Sequence, residues 1–116
     1  MQPLRDKSCA ICKAGGIPLK GILLMDLKKM LDPSWEVVDD HHLFREYKFK
    51  DFISGLKFVN AIGECAEKEQ HHPDLSLSYT KVGVKLFTHK IKGLSESDFV
   101  MADKIDALYE LFRSVN

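Results

Sequence analysis

Glu67-Lys68-Glu69-Gln70-His71-His72-Pro73, read together with Thr88-His89, is the stretch around which the chain is organised. Three of the five histidines fall within the nineteen residues 71–89. Between them Leu75, Leu77 and Tyr79, then Val82, Val84 and Leu86, alternate with more polar neighbours. A period of two marks half-buried strands, so the histidines are expected at strand ends, held by a sheet and open to solvent. Pro73 biases His72 toward an extended backbone, and adjacent residues of an extended segment point to opposite sides. One imidazole of the doublet can then line a pocket while the other braces it. Imidazoles exchange protons near neutral pH, and this makes the stretch a candidate for acid–base chemistry.

Working upstream, Asp51 is placed to cap a helix whose apolar stripe reads Phe52, Leu56, Val59, Gly63 and Ala66 and which ends near Glu69. Before it, Trp35 to Val38 and Leu43 to Lys50 read as a strand pair around the turn Asp39-Asp40-His41. A first amphipathic helix over about residues 19–31 carries Ile22, Leu23, Leu27, Met30 and Leu31, and Asp32-Pro33-Ser34 stops it. Downstream, Gly93-Leu94 is a turn, and Ser95-Glu96-Ser97-Asp98 resembles a capping box. The last helix then buries Met101, Ala102, Ile105, Leu108, Tyr109 and Phe112. The order α-β-β-α-β-β-α predicts an α+β fold. Four antiparallel strands carry three helices on one face and leave the other face partly open for a ligand or a second copy. Residues 1–16 read as a tail and residues 17–116 as a single domain.

The bulk numbers narrow the function. The chain has 116 residues, with 17 Lys and Arg against 17 Asp and Glu. A net charge near zero creates no long-range field for nucleic acid or an acidic membrane, so a neutral small substrate fits at least as well. Three cysteines are too few, and odd in number, for a secreted disulfide framework; a reducing cytoplasm is expected, with room for a nuclear pool. Arg5, Asp6 and Lys7 interrupt any leader-like start, and apolar runs such as Ile22 to Met25 fall far short of a membrane span.

Other features carry weaker signals. Cys9-Ala10-Ile11-Cys12 has half the spacing of a zinc site, but no second half follows. His71, His72 and His89 do not suit one tetrahedral metal, because the doublet diverges. No metal site is therefore expected. Glu67 lies one helical turn before His71, where a carboxylate could orient the imidazole or could merely be a solvated charge at a helix end. Asp98 reads first as a helix-capping residue. His41-His42 is a doublet in a turn with no motif around it, and replacing His41 is expected to be nearly silent. There is no glycine-rich phosphate loop and no GxSxG.

His71-His72-Pro73-Asp74, Tyr79, Val82, Thr88-His89, Gly93-Leu94-Ser95, Asp98 and Ala102 resemble the pterin-4a-carbinolamine dehydratases, also known as the dimerisation cofactor of a hepatocyte homeodomain transcription factor. Tyr47-Lys48-Phe49-Lys50-Asp51-Phe52 is similar to that family's aromatic strand running into its central helix, and Trp35 to the tryptophan after its first helix. The resemblance covers roughly residues 9–112. It implies an α+β fold assembled as a homodimer or homotetramer. It also implies dehydration of 4a-hydroxytetrahydropterin to quinonoid dihydropterin, which recycles the pterin spent by aromatic amino-acid hydroxylases, without metal or organic cofactor. By the same resemblance His71 and His89 transfer protons, His72 positions substrate, and Glu67 is a supporting acid. Backbone at His71, His72, Pro73, Thr88, His89, Lys90 and Ile91 would edge the pterin ring. One departure stands out: Leu75 occupies a position where family members often carry Trp. The alternative reading is a non-catalytic module that binds a transcription factor or a hydroxylase on the same fold.

Overall fold

The computed structural model describes residues 3–7 and 18–114, with side chains through Phe112. Cys9 and Cys12 lie outside the described residues. A single helical turn at Leu4–Asp6 comes first. It is followed by α1 (Gly21–Lys29), β1 (Glu36–Val38), β2 (His42–Lys48), α2 (Phe52–Glu69), β3 (Asp74–Leu77) and β4 (Lys81–Leu86). A second one-turn helix, His89–Ile91, leads to α3 (Glu96–Ser114). The order anticipated from the sequence holds, apart from the two short turns.

The four strands form one antiparallel sheet in the order β1-β2-β4-β3. The pleat decides which residues meet the helices. Leu43 and Tyr47 of β2 and Val82, Val84 and Leu86 of β4 are at most 1% exposed, and they pack against Phe58 and Ile62 of α2 and Phe99, Met101 and Ile105 of α3. Residues of the opposite parity, such as Glu46 and Lys81, face away from the helices and form a loose ion pair at 3.9 Å. Asp39 and Asp40 both take positive φ of 53° in the three-residue connection between Val38 and His42, and the His41 N–H donates to the Val38 carbonyl at 2.8 Å.

Local signals place the ends of α2 where the sequence put them. The Asp51 carboxylate accepts from the Ser54 N–H at 3.0 Å, and hydrogen bonding by the Ser54 hydroxyl, then by this N–H, holds its pKa below the ordinary value. The buried stripe is rotated from expectation, however. Gly55, Phe58, Ile62 and Ala66 face the core, while Phe52 is 45% exposed. Phe58 stacks against Tyr47, Phe49, Tyr109 and Phe112, and a single large ring there settles the helix's rotation more firmly than several smaller apolar groups. Tyr79, expected within β3, lies past its end and is 76% exposed.

Within the stretch read as a tail, residues 3–7 dock on α3. Leu4 is buried, Arg5 grips the Asp103 carboxylate through Nε and Nη2 at 3.1 Å each, and Lys7 pairs with Glu96 at 3.0 Å. Deeper in the core, Asp106 of α3 accepts from Trp35 Nε1, Tyr47 Oη and Arg45 Nη1. Burial raises the Asp106 carboxyl pKa, and these donors pull against that.

Candidate active site

His71 is positioned by the way α2 stops. Gln70 adopts the left-handed conformation (φ 55°, ψ 40°), and the His71 N–H returns to the Ala66 carbonyl at 3.2 Å. This six-to-one bond belongs to the Schellman ending, with glutamine standing where glycine is usual. The chain then runs extended through Pro73 into β3, and the two imidazoles diverge as anticipated. The His71 side chain is 14% exposed and that of His72 is 55% exposed.

The divergence gives each histidine its own carboxylate. His71 Nε2 donates to Asp98 Oδ1 at 2.6 Å, whereas His72 Nε2 pairs with Glu67 at the surface. Glu67 therefore braces His72, and the acid that orients His71 is Asp98. A spacing of five residues along a helix end carries Glu67 past His71 to the next ring. Asp98 is fully buried and also does the capping work expected of it. Its Oδ2 accepts from the Ser95 N–H at 3.0 Å and from Thr88 Oγ1 at 2.8 Å. Thr88 Oγ1 in turn lies 2.7 Å from Ser95 Oγ; since Thr88 donates to the carboxylate, the Ser95 hydroxyl donates to Thr88. Asp98 is thus a buried carboxylate with a donor on each oxygen. Its second role could have been suspected from an acidic residue at the third position of a helix whose start lies beside the histidine strand ends.

His89 opens the one-turn helix that follows β4, directly after Thr88. The loop is pinned at its base: the Thr88 N–H donates to the Gly93 carbonyl at 2.8 Å, and Lys92 turns the chain back with φ 50°. Gly93 is required there, because a Cβ would come within 2.7 Å of Pro18. Lys90 and Ile91 lie on the same turn. Leu75 pairs with Val84 and packs against the core.

The His41-His42 doublet is not remote from this region. The His41 ring lies 4.7 Å from that of Phe87, and Phe87 lies 4.2 Å from His89, each pair tilted by 38°. His41 Nδ1 and His42 Nδ1 are 3.1 Å apart. His42 has its pKa lowered by burial and then by Lys85 and His41, with Asp39 opposing. Strand pairing brings residues 41 and 87 together, so a doublet that no sequence motif links to His89 lies one ring away from it.

Other chemistry finds less support. A groove between the N-terminal turn, α2 and α3 is lined by Arg5, Cys65, Lys68 and Lys104, and none of the candidate site residues reaches it. Burial, followed by Glu69, raises the Cys65 thiol pKa, which suppresses the thiolate a nucleophile needs. Among the described residues no three His, Cys, Asp or Glu side chains converge on a point that a metal ion could occupy, and no helix is long and apolar enough to cross a membrane.

The fold and the paired imidazole define a class: an α+β chain carrying a carboxylate-held histidine at the end of a four-stranded sheet. The family is shown by comparison. Residues 23–108 match the model described as pterin 4 alpha carbinolamine dehydratase, and the chain belongs to that family. Its relatives include a protein of Rubrobacter xylanophilus that carries the pterin-4-alpha-carbinolamine dehydratase name, 50% identical over 93% of this chain and all of that one. Another of that name, from Alkaliphilus metalliredigens, is 51% identical over 91% of this chain and 96% of its own. Among solved structures, a transcriptional coactivator/pterin dehydratase from Brucella melitensis superposes with a TM-score of 0.73 at 35% identity, covering 78% of this chain and 97% of the other. A pterin dehydratase-like protein identified as a RuBisCO assembly factor shares the fold, with a TM-score of 0.56 at 23% identity over 65% of this chain and 88% of its own.

Proposed function

We propose that the protein dehydrates pterin-4a-carbinolamines, eliminating water from 4a-hydroxytetrahydropterin to give quinonoid dihydropterin in the recycling of that cofactor. The observation that carries the reading is the His71–Asp98 pair beside the Thr88-His89 turn in a member of this family. Elimination breaks the C4a–O bond, gives a proton to the departing hydroxyl and removes one from a ring nitrogen, whose electron pair forms the new C=N bond. An acid and a base together balance the reaction, and imidazoles near pKa 6.5 suit both roles. Asp98 fixes the His71 tautomer with the proton on Nε2, so Nδ1 is the nitrogen that accepts a proton. A second imidazole, His89, supplies the complementary transfer. His72, braced by Glu67, orients the substrate, and the backbone of residues 71–73 and 88–91 edges the pterin ring. The test is 4a-carbinolamine decay followed with and without the protein. Acceleration is expected, unchanged by EDTA. A decay rate equal to the uncatalysed one would end this reading, and activity lost on chelation and restored by zinc would overturn the metal-free mechanism.

The same reading includes self-association in the cytoplasm. Ile22, Leu23 and Met25 of α1 and Ile53 of α2 are each more than half exposed, and so small a domain gains much by covering such groups. Light scattering at micromolar concentration is expected to return a dimer or tetramer mass; a single-chain mass would contradict it. A second reading, a partner-binding role, is favoured by the Brucella melitensis protein's description as a coactivator. A variant lacking turnover but still binding its protein partner would separate the two roles.

A further inference from the structure

We propose that Phe87 is a positioning residue for His89: it is clamped between the His89 ring and the His41 ring, so that the β1–β2 turn sets the angle at which His89 meets the substrate. The inference rests on the dehydratase reading for its kinetic part, but its structural part stands on ring geometry. Phe87 follows β4 and continues the strand's alternation onto the face without helices, the face that Lys85 also occupies. His89 is largely exposed, and its helix is one turn long, so its own element restrains the imidazole little. The Phe87 ring, 4.2 Å away, closes one side of it. Phe87 is in turn backed by His41 at 4.7 Å and overhung by Lys85 Nζ at 5.5 Å from its centroid. His41 is held from behind by His42, edge-on at 5.3 Å, with their Nδ1 atoms at hydrogen-bond distance. A phenyl ring has two rotatable bonds and no polar atom, which makes it a stiff and chemically silent spacer. Small angular errors in a proton carrier are expensive: a displacement of about 1 Å can lower a rate by about 10²-fold.

The experiment compares Phe87→Leu, Phe87→Tyr and His41→Ala with wild type by steady-state kinetics and by histidine ring proton NMR. In wild type the Phe87 ring lies 4.2 Å from that of His89, so the His89 ring protons are expected to be displaced upfield by its ring current. In Phe87→Leu this displacement is expected to vanish and kcat to fall by about 10- to 100-fold, with KM changed far less. Phe87→Tyr, which keeps the ring, should restore both. His41→Ala should give a smaller loss, and combining it with Phe87→Leu should add little, because the two rings act as a unit. Trp35 fluorescence checks that each variant is folded. The proposal is overturned if folded Phe87→Leu keeps wild-type kcat, or if the His89 resonances do not move. If wild type has no dehydratase activity at all, the function is wrong, and the NMR comparison alone still decides whether Phe87 holds His89.

Discussion

At the scale of single residues, the candidate site holds two histidines in carboxylate pairs and a third by packing. His71→Ala and His89→Ala are each expected to lower kcat by ~10²- to 10⁴-fold, the ordinary contribution of one acid–base group. His72→Ala should mainly raise KM, since this ring is exposed and paired with Glu67 on the outer side. The His71/His89 double variant must be included, because groups acting together are not additive. Wild-type kcat in that double variant would sink the assignment. Asp98→Asn keeps the shape but puts an amide opposite His71 Nε2, so it should reduce kcat with little change in KM. Asp98→Ala should in addition cost about 1–3 kcal/mol of stability by leaving buried donors unmet. His41→Ala, which the sequence alone marked as silent, is now expected to show a modest loss through Phe87.

At the scale of elements, the ending of α2 is the joint that delivers His71. Gln70 sits in the left-handed region, which is unfavourable by ~1 kcal/mol or more for a residue with a Cβ. Gln70→Gly should therefore raise the unfolding free energy by up to about 1 kcal/mol, after loss of the side chain's bond to the Glu67 carbonyl. A lowered urea midpoint would show instead that the side chain matters more than the backbone strain. This joint also shows what a sequence can reveal. Asp51, the Glu67–Pro73 boundary, the hairpin at Asp39-Asp40 and the box at Ser95–Asp98 were all readable, because capping and turns depend on residues a few positions apart. The rotation of α2, the His71–Asp98 pair and the His41–Phe87 contact were not. Those depend on which ring fills the core beneath the sheet and on pairings between residues 27 to 46 positions apart, and periodicity carries no information about them.

At the scale of the whole molecule, stability is tied to the buried Asp106 cluster, and this has a consequence for pH. Burial, then the charge and hydrogen bond of Asp106, push the Tyr47 phenol pKa far above its ordinary value. A group whose folded pKa is raised contributes stability that is intact below its unfolded pKa and is lost as pH climbs beyond it. For tyrosine that loss begins near pH ~10, at about 1.4 kcal/mol per pH unit. Urea unfolding followed by Trp35, the sole tryptophan and a partner of Asp106, should show this decline between pH 7 and 11. In Tyr47→Phe the decline should be shallower, on a baseline lower by about 1–3 kcal/mol because Asp106 loses a donor. An equally steep decline in that variant would place the alkaline sensitivity elsewhere.

One feature ties the chemistry of the site to a signal that needs no substrate. The carboxylate that steadies His71 with one oxygen holds the Ser95 amide proton with the other. Whenever α3 frays at its first turn, that proton is released to solvent and the imidazole loses its anchor in the same event. Hydrogen–deuterium exchange at this single backbone amide is therefore a clock for how often the His71–Asp98 arrangement comes apart, readable in the resting protein.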